Sequence, residues 1–308
     1  MTDAIPSSPV PAVHGSTGAT RALAEGKLLI DEPAPGVLRL TISNPSKRNA
    51  LDHPILDAIT DTLTELTAAV GSAQAAGAGA VDAAGIRTGP DPIRCLIVTG
   101  AHGMFSAGYD IGDIPADDFE SLAERLVAHP FTRAIEALEA YPYPTLAVLP
   151  GHTIGGGLEL ALACDLRIAK DAIKLGMPPA KLGLVYSHTG IQRFIEAIGA
   201  PRTRELFLVA QNIDASTALA WGLVNRVAPE AELEALSLAL ATEIAGNAPI
   251  SQLGNKRVIN TMLRNQPALD ADVEQTLLAL RRASFGTEDM REGVRAFAQK
   301  RAPRWQGR

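Results

Sequence analysis

Two short, continuous apolar segments constrain the fold of this chain more than any other feature. They are Arg94–Thr99 (RCLIVT) and Pro144–Leu149 (PTLAVL), and turn-forming residues bound both of them. An uninterrupted apolar run of this length is typical of a strand buried on both faces of a sheet. A long helix is predicted between the two strands, over Phe119–Ala140. Strands that alternate with helices indicate a parallel or mixed sheet in an α/β fold.

The rest of the chain extends this pattern and suggests where its units begin and end. Further strands are predicted at Leu28–Ile30, Val37–Ile42 and Asp165–Ala169, and further helices at Asp52–Val70 and from Leu158 onward. After about Pro229 the strand signals stop, and the remainder reads as helical. We therefore predict a disordered tail over 1–26, a core over 27–229 with a flexible Ala/Gly-rich insert over 71–92, and a C-terminal helical region over 230–308.

Composition argues against several classes of protein. The formal charge is −6, from 28 Lys and Arg against 34 Asp and Glu, whereas a nucleic-acid-binding protein needs a basic face. Cys95 and Cys164 both lie in apolar runs, which favours buried thiols over a disulfide or a metal site, and the histidines show no metal-ligand spacing. Residues 1–26 lack the pattern of a signal peptide, and no run reaches the ~18 apolar residues of a membrane helix. We predict a cytoplasmic protein with no nucleic-acid or membrane partner.

The segment Pro150–Asp165 (PGHTIGGGLELALACD) carries the strongest chemical signal. A strand ends, three glycines follow and an Ala/Leu-rich helix begins. Glycines let the backbone approach a ligand closely, and the start of a helix presents unpaired N–H donors. Such a segment suits developing negative charge. Taken alone, it is equally compatible with a tight turn that packs a helix on a strand.

A second glycine-containing segment, Phe105–Asp110 (FSAGYD), follows the other buried strand. Small residues around Gly108 would let a second backbone N–H point into a cleft. Two backbone donors from two strand ends are what the oxyanion of a thioester needs. Another plain turn between strand and helix remains the alternative.

Five ordered segments resemble the crotonase (enoyl-CoA hydratase/isomerase) superfamily. In chain order they are SNPSKRNAL (43–51), FSAGYDI (105–111), GHTIGGGLELALACDLRIA (151–169), NIDASTALAWGLVNRV (212–227) and EGVRAFAQKRAPRW (292–305). The resemblance covers about residues 28–305. It implies a ClpP/crotonase-like α/β fold of repeated ββα units with a C-terminal helical region that trimerises. The expected assembly is a homotrimer or a hexamer built as a dimer of trimers.

The resemblance also implies roles for individual residues. The family's oxyanion hole corresponds to the backbone N–H groups of Tyr109 and Gly156, and its acid or base on the following helix corresponds to Glu159. Without the resemblance, Glu159 could equally be a first-turn carboxylate favoured by the helix dipole. The implied function is an acyl-CoA enzyme of fatty acid metabolism, a lyase that stabilises a thioester enolate.

Coenzyme A is the substrate carrier that the resemblance implies, with no tightly bound cofactor and no metal. Lys47 or Arg48 would supply charge to the CoA phosphates, and two alanines would line the same region. Two tail residues would reach the adenine end, often in a neighbouring subunit. The two alanines are Ala50 and Ala107, and the two tail residues are Phe297 and Lys300. Each basic side chain could instead be solvated surface charge.

One position departs from the hydratases of this family. They carry a second glutamate where this chain has Pro179, in PPAKLGLVYS (178–187). Because two carboxylates share the water in hydration, losing one leaves acid–base catalysis incomplete. The segment is most similar to the methylmalonyl-CoA decarboxylase branch, and Tyr186 matches a tyrosine there, although Tyr109 stands in place of that branch's histidine. Tyr186 could orient a carboxylate or reprotonate the enolate, or it could be a core residue.

Other reactions and classes remain open. Hydration, isomerisation, decarboxylation and thioester hydrolysis all compete, and a non-catalytic acyl-CoA-binding homologue is a further class. A serine hydrolase lacks support because no GxSxG motif occurs. His188 reads as a loop or helix-capping residue, and Asp110 and Asp165 read as structural.

Overall fold

The computed structural model describes residues 20–75, 93–110, 130–264 and 271–304. Most of the predicted tail and insert, and the first part of the helix predicted over Phe119–Ala140, lie outside these residues. No helix in the described part of the chain is both long enough and apolar enough to cross a membrane.

A seven-stranded mixed sheet forms the centre of the fold. Its strands are β1 (Arg21–Leu23), β2 (Leu28–Ala34), β3 (Val37–Ile42), β4 (Cys95–Gly100), β5 (Thr145–Leu149), β7 (Leu166–Lys170) and β10 (Arg226–Ala228). They lie in the order β1-β2-β3-β4-β5-β7-β10. The first two pairings are antiparallel, and every pairing from β3 to β10 is parallel. A second sheet has the order β6-β8-β9 and contains β6 (Thr153–Ile154), β8 (Lys174–Gly176) and β9 (Ile213–Asp214).

Helices surround these sheets and make up most of the C-terminal part. They are α1 (His53–Ala75), α2 (Thr132–Ala140), α3 (Gly156–Leu162), α4 (Pro179–Leu182), α5 (His188–Arg204), α6 (Ala215–Trp221), α7 (Glu230–Gly246), α8 (Pro249–Arg264), α9 (Ala271–Phe285) and α10 (Glu288–Ala298). Short helical turns occur at Ala24–Gly26, Pro45–Lys47 and Glu205–Val209.

The two apolar segments form neighbouring parallel strands at the centre of the sheet, as their composition predicts. In β4 and β5, alternate side chains enter two separate cores. Leu96 and Ala147 belong to the larger core, whereas Ile97 and Leu146 belong to the smaller core beneath α7. Because both faces of these strands are covered, their sequences are continuously apolar rather than alternating.

Several boundaries differ from the sequence expectation. Arg21–Leu23 is a strand within the predicted tail, because it pairs antiparallel with the start of β2 despite having almost no apolar pattern of its own. Helix α1 continues to Ala75, beyond the expected beginning of the insert at residue 71. Strand β2 extends past Pro33, where a shift in register between Asp31 and Ala34 accommodates the missing N–H.

Helix α10 packs closely on α4, the short helix that begins at Pro179. A Cβ added to Gly183 would lie 2.9 Å from backbone atoms of Asp289 and Met290, and one added to Gly293 would lie 2.6 Å from the carbonyl oxygen of Leu182. Gly183 also has a φ of +72°, which favours glycine. Glycines on both sides therefore bring the C-terminal helix against the segment that follows β8.

Candidate active site

The loops that follow β4 and β5 meet because their strands are parallel neighbours. Ile154 donates a backbone hydrogen bond to Ser106 over 3.0 Å, and Phe105 donates one to His152 over 3.3 Å. Gly108 has a φ of +96°, and a Cβ there would lie 3.2 Å from the nitrogen of Gly156. The two segments that the sequence marks as carrying backbone donors are thus in contact.

Glycines also determine how α3 begins. Gly155 has φ 57° and ψ −128°, a conformation open to glycine, and its N–H donates to Gly176 of β8 over 2.9 Å. Helix α3 starts at the next residue, Gly156, in the first turn where backbone N–H groups have no carbonyl partner within the helix. A Cβ on Gly157 would lie 2.7 Å from the side chain of Ser106, so this helix sits directly against the other loop.

The aromatic ring of Tyr109 lies over Gly156. A Cβ on Gly156 would be 3.0–3.1 Å from three atoms of that ring. The ring packs edge-on against Phe131, with 4.6 Å between the two ring centroids. Backbone bonds on either side hold Tyr109 in place, because Leu51 donates to Gly108 and Asp110 donates to Leu51.

Glu159 lies one helical turn after Gly156 and is only 2% exposed. The hydroxyl of Tyr186 donates to its Oε2 over 2.5 Å, and Nη1 of Arg193 donates to its Oε1 over 3.1 Å. The same guanidinium donates through Nε to Glu139 of α2 over 2.6 Å. A buried carboxylate is thus held by a phenol on one oxygen and by a cation on the other.

Tyr186 stays protonated in this setting. Burial, and next the nearby charge of Glu159, raise the pKa of its phenol well above 10. Its ring packs edge-on against Phe207 with 5.6 Å between centroids. Tyr186 therefore acts as a hydrogen-bond donor towards Glu159 across the neutral pH range.

A small pocket opens beside these groups. Its cavity volume is about 10 Å³, roughly the room that one water molecule needs. Its lining residues are Tyr109, Phe131, Thr132, Ile135, Glu159, Ser187, Thr189 and Arg193. The pocket combines an aromatic wall with one carboxylate, one guanidinium and three aliphatic hydroxyls. In the described residues, no group of three or more His, Cys, Asp or Glu side chains is arranged to hold a metal.

Pro179 occupies the first position of α4 and is buried. The ring of the preceding Pro178 lies 3.9 Å from where a Cβ on Gly155 would be, so the segment passes close to the start of α3. At the expected position of a second acid this chain therefore has a buried proline, directly after the Pro178 ring that approaches α3.

The residues predicted to contact CoA fall into two groups. Lys47 forms a 2.7 Å ion pair with Asp110, and Ala107 donates a backbone hydrogen bond to Arg48 over 3.1 Å, so the segment containing Ala50 runs alongside the Tyr109 loop. In the second group, Phe297 at the end of α10 is 73% exposed and Lys300 follows it with a φ of 51°. No member of either group is among the residues that line the pocket.

Arg193 and Glu139 are the site residues that sequence reasoning missed. Both are charged residues in ordinary amphipathic helices, with no motif around them. The sequence offers one signal for Arg193. Thr189 and Arg193 lie four residues apart in the first turns of α5, so their side chains are on the same face of the helix. Ser187 rather than His188 caps α5, and His188 Nε2 lies 3.5 Å from Glu274 Oε1.

Comparison with solved structures defines the class of the fold. A structure of methylmalonyl-CoA decarboxylase in complex with 2-nitronate-propionyl-CoA superposes with a TM-score of 0.76 and 26% identity, covering 92% of this chain and 99% of the other. An enoyl-CoA hydratase/isomerase from Pseudoalteromonas atlantica superposes with a TM-score of 0.69 and 26% identity, covering 91% and 100%. The fold is that of the crotonase-type enzymes, as predicted.

Sequence comparison identifies the family. The family described as Enoyl-CoA hydratase/isomerase matches residues 84–308. A probable enoyl-CoA hydratase of Mycobacterium tuberculosis is 33% identical over 273 residues, covering 86% of this chain and 93% of the relative. The methylmalonyl-CoA decarboxylase of Escherichia coli is 31% identical over 217 residues, covering 70% and 82%. This chain belongs to the enoyl-CoA hydratase/isomerase family.

Proposed function

We propose that this protein is an enzyme that binds an acyl-coenzyme A thioester and generates its enolate. The observation that carries the proposal is the placement of Glu159, a buried carboxylate one turn after Gly156 and beside the contact between the two glycine loops. Fixed donors aimed at developing charge are the largest single contribution to catalysis in many acyl-transfer enzymes. Relatives named for enoyl-CoA and methylmalonyl-CoA support the choice of substrate.

The proposed mechanism uses two kinds of group. Backbone N–H groups of Tyr109 and Gly156 donate to the thioester carbonyl oxygen as it gains negative charge, and losing one such donor costs about 3–4 kcal/mol of transition-state stabilisation. Glu159 takes a proton from the α-carbon, or returns one to it. When the C–H bond breaks, its electron pair forms the carbon–carbon double bond of the enolate, the π pair of the carbonyl moves onto the oxygen, and the proton resides on the carboxylate.

Decarboxylation of a malonyl-type CoA is the second candidate, and a specific observation favours it. Hydration needs a water held for attack, and at the expected second acid this chain has Pro179. Both oxygens of Glu159 already accept hydrogen bonds, from Tyr186 and Arg193. In decarboxylation the bond to the departing CO₂ breaks, its electron pair enters the enolate, and a proton donor then completes the product. Tyr186, protonated at neutral pH, is the candidate donor: its proton passes by way of Glu159 to the α-carbon, and a proton from solvent then restores the phenol.

The CoA contacts and the assembly belong to the same proposal. We place the pantetheine and phosphates along Lys47, Arg48 and the neighbouring Ala50 and Ala107, because this segment borders the Tyr109 loop. Phe297 and Lys300 are proposed to reach the adenine end of CoA in a neighbouring subunit of a homotrimer or hexamer. Exposure of the Phe297 ring on this chain supports a partner for it.

Mass spectrometry of purified protein incubated separately with crotonyl-CoA and methylmalonyl-CoA tests the reaction. Loss of CO₂ from methylmalonyl-CoA alone would establish decarboxylation. Rapid addition of water to crotonyl-CoA would establish hydration and show that a single glutamate suffices. Binding of both without turnover would support a non-catalytic acyl-CoA-binding homologue and overturn the enzymatic proposal.

Substitution of Glu159 by Gln tests the site itself. The amide keeps the size of the side chain but cannot accept the α-proton, so kcat should fall by roughly 10²–10⁴-fold. Affinity for the acyl-CoA, measured by calorimetry, should change little. Glu196→Gln, which removes an exposed carboxylate that bonds Gln192 on α5, serves as the matched control and should retain its activity. Full activity in Glu159→Gln would refute this assignment.

A further inference from the structure

A chain of ion pairs links Glu159 to a helix outside the glycine loops. Arg193 of α5 bonds Glu159 through Nη1 at 3.1 Å and Glu139 of α2 through Nε at 2.6 Å. The guanidinium side chain is 18% exposed, Glu139 is 31% exposed and Glu159 is almost fully buried. The chain therefore runs from the partly exposed end of α2 to the floor of the pocket.

Geometry makes this arrangement more than charge compensation. The guanidinium is planar, and two of its nitrogens engage two different carboxylates, so the direction of each bond is fixed by the other. Glu139 binds the arginine from α2, the helix whose Thr132 and Ile135 line the pocket. An arginine held in this way fixes the rotation of the Glu159 carboxylate together with Tyr186 on the opposite oxygen.

Burial makes Arg193 energetically important. A buried carboxylate without a compensating cation costs several kcal/mol, whereas a neutral phenol supplies a hydrogen bond but no charge. The nearby Glu139 and Glu159, in that order, raise the pKa of Arg193 in opposition to burial, so it remains charged. Arg193 supplies the positive charge in direct contact with Glu159.

We propose that Arg193 is the positioning residue for Glu159, and that Glu139 holds Arg193 in its working orientation. This inference rests on the proposed role of Glu159 in proton transfer. It assigns no contact between Arg193 and substrate atoms. It predicts instead that the arginine controls the orientation of the carboxylate and the pH range over which the carboxylate is ionised.

The groups facing Glu159 determine what a pH profile will report. Among the described residues they include the phenol of Tyr186, which is hydrogen-bonded to Tyr109, and the guanidinium of Arg193, which also contacts Glu139. Tyr186 titrates above the neutral range, and arginine does not titrate there. His188, at the start of α5, faces Glu274 instead. Glu139 is the other carboxylate that Arg193 contacts, so an acidic limb in kcat that moves in Arg193→Met and persists in Glu139→Gln would report Glu159.

The experiment measures kcat, KM and the pH profile for the substrate that mass spectrometry identifies. In Arg193→Met, loss of the cation should move the acidic limb of kcat upward by about one pH unit or more and lower kcat at least about tenfold. KM should stay within about threefold, because no substrate contact is removed. In Arg193→Lys the acidic limb should lie between those of the wild type and Arg193→Met, because lysine restores the positive charge but not the planar guanidinium that bonds two carboxylates. Arg202→Met is the matched control on the same helix, where the side chain bonds the carbonyl of Trp221, and it should leave the profile unchanged.

Two results would overturn the inference. One is an unchanged acidic limb in Arg193→Met, and the other is a limb moved equally by Arg202→Met. If Arg193→Met does not fold, Arg193→Lys and Glu139→Gln replace it: a lowered kcat with a displaced limb in both supports the inference, and a wild-type limb in both contradicts it. Full activity of Glu159→Gln would instead refute the proposed function, so the two failures are distinguishable.

Discussion

At the scale of single residues, a close contact joins Gly156 and Tyr109, the two residues proposed to donate to the thioester oxygen. The ring fills the space that a Cβ at position 156 would need, with approaches of 3.0–3.1 Å to three ring atoms. The φ of Gly156 lies outside the left-handed range, so an alanine would meet no backbone penalty there. Any effect of Gly156→Ala must therefore come from displacing the tyrosine ring or the helix start.

Gly156→Ala should lower kcat/KM by about tenfold to a hundredfold, because the donor and the ring must move apart by a few tenths of an ångström. Combining it with Tyr109→Ala gives a double-mutant cycle that isolates the contact. We expect Tyr109→Ala to lower kcat/KM much less in the Gly156→Ala variant than in the wild-type protein. Strictly additive effects on kcat/KM would show that the ring contact is not the cause.

Tyr186 offers a second test at this scale. Tyr186→Phe removes the donor to Glu159 Oε2 and leaves the ring in place, so kcat should fall about tenfold or more, and the free energy of unfolding should fall by about 1–2 kcal/mol. Tyr141→Phe is the matched control: it removes a buried hydroxyl that bonds the carbonyl of Ile93, and it should lower stability without lowering kcat. Chemical denaturation and steady-state kinetics measure both. Equal kcat in the two variants would exclude a role for Tyr186 in the reaction.

At the scale of secondary-structure elements, one carboxylate attaches the end of the chain to α10. Glu292 accepts from Arg301 at 2.5 and 3.0 Å and from the backbone N–H of Arg304 at 3.0 Å. The bond from Arg301 is the main reason that the pKa of Glu292 falls to about 2. Since α10 packs on α4, this clamp also holds the helix that borders the site.

Glu292→Gln should release the residues after α10 and speed cleavage by trypsin at Arg301. The lowered pKa fixes the sign of the pH effect. In the native protein the clamp is fully present above the ordinary glutamate pKa of 4.5, and it weakens as the pH falls from there towards about 2. Glu288→Gln, which breaks the exposed pair with Arg291, is the control. Equal cleavage rates in the two variants would contradict the clamp.

The elements that the sequence predicts well are those whose own residues determine them. Strands β4 and β5 are continuously apolar because both faces are buried, and α3 follows from the glycines and the Ala/Leu pattern after them. Strands β6, β8 and β9 are two or three residues long, too short to show a period, and exist through their pairing with one another. Their existence depends on tertiary contacts that no local pattern records.

The site residues likewise divide into those that the sequence predicts and those that it does not. Glu159 follows a glycine motif and can be found from it, whereas Arg193 lies 34 positions further along the chain and Glu139 lies on another helix. Nothing near either residue distinguishes it from a solvated helix charge. The Lys47–Asp110 pair likewise joins residues 63 positions apart, and shows that Asp110 has a partner within the predicted CoA segment.

At the scale of the whole molecule, α8 has an apolar face that the other described residues leave exposed. On α8, Val258 and Ile259 are each 58% exposed and Met262 is 73% exposed. Spacings of three and four residues place these side chains on one side of the helix. Apolar side chains clustered in this way mark an interaction surface. The proposed homotrimer supplies a partner for that face.

Light scattering on purified protein should therefore give a mass of three or six times the 32.3 kDa chain. Met262→Glu places a charge on the α8 face and should shift the protein towards smaller species, while Ala235→Glu, at an exposed position of α7, should not. If the subunits complete one another's CoA sites, dissociation should raise KM for the acyl-CoA. It should change kcat little, because Glu159, Tyr186 and Arg193 all lie within one chain. A monomeric wild-type protein with full activity would refute the assembly, and a dissociated variant with unchanged KM would show that each chain binds CoA without its neighbour.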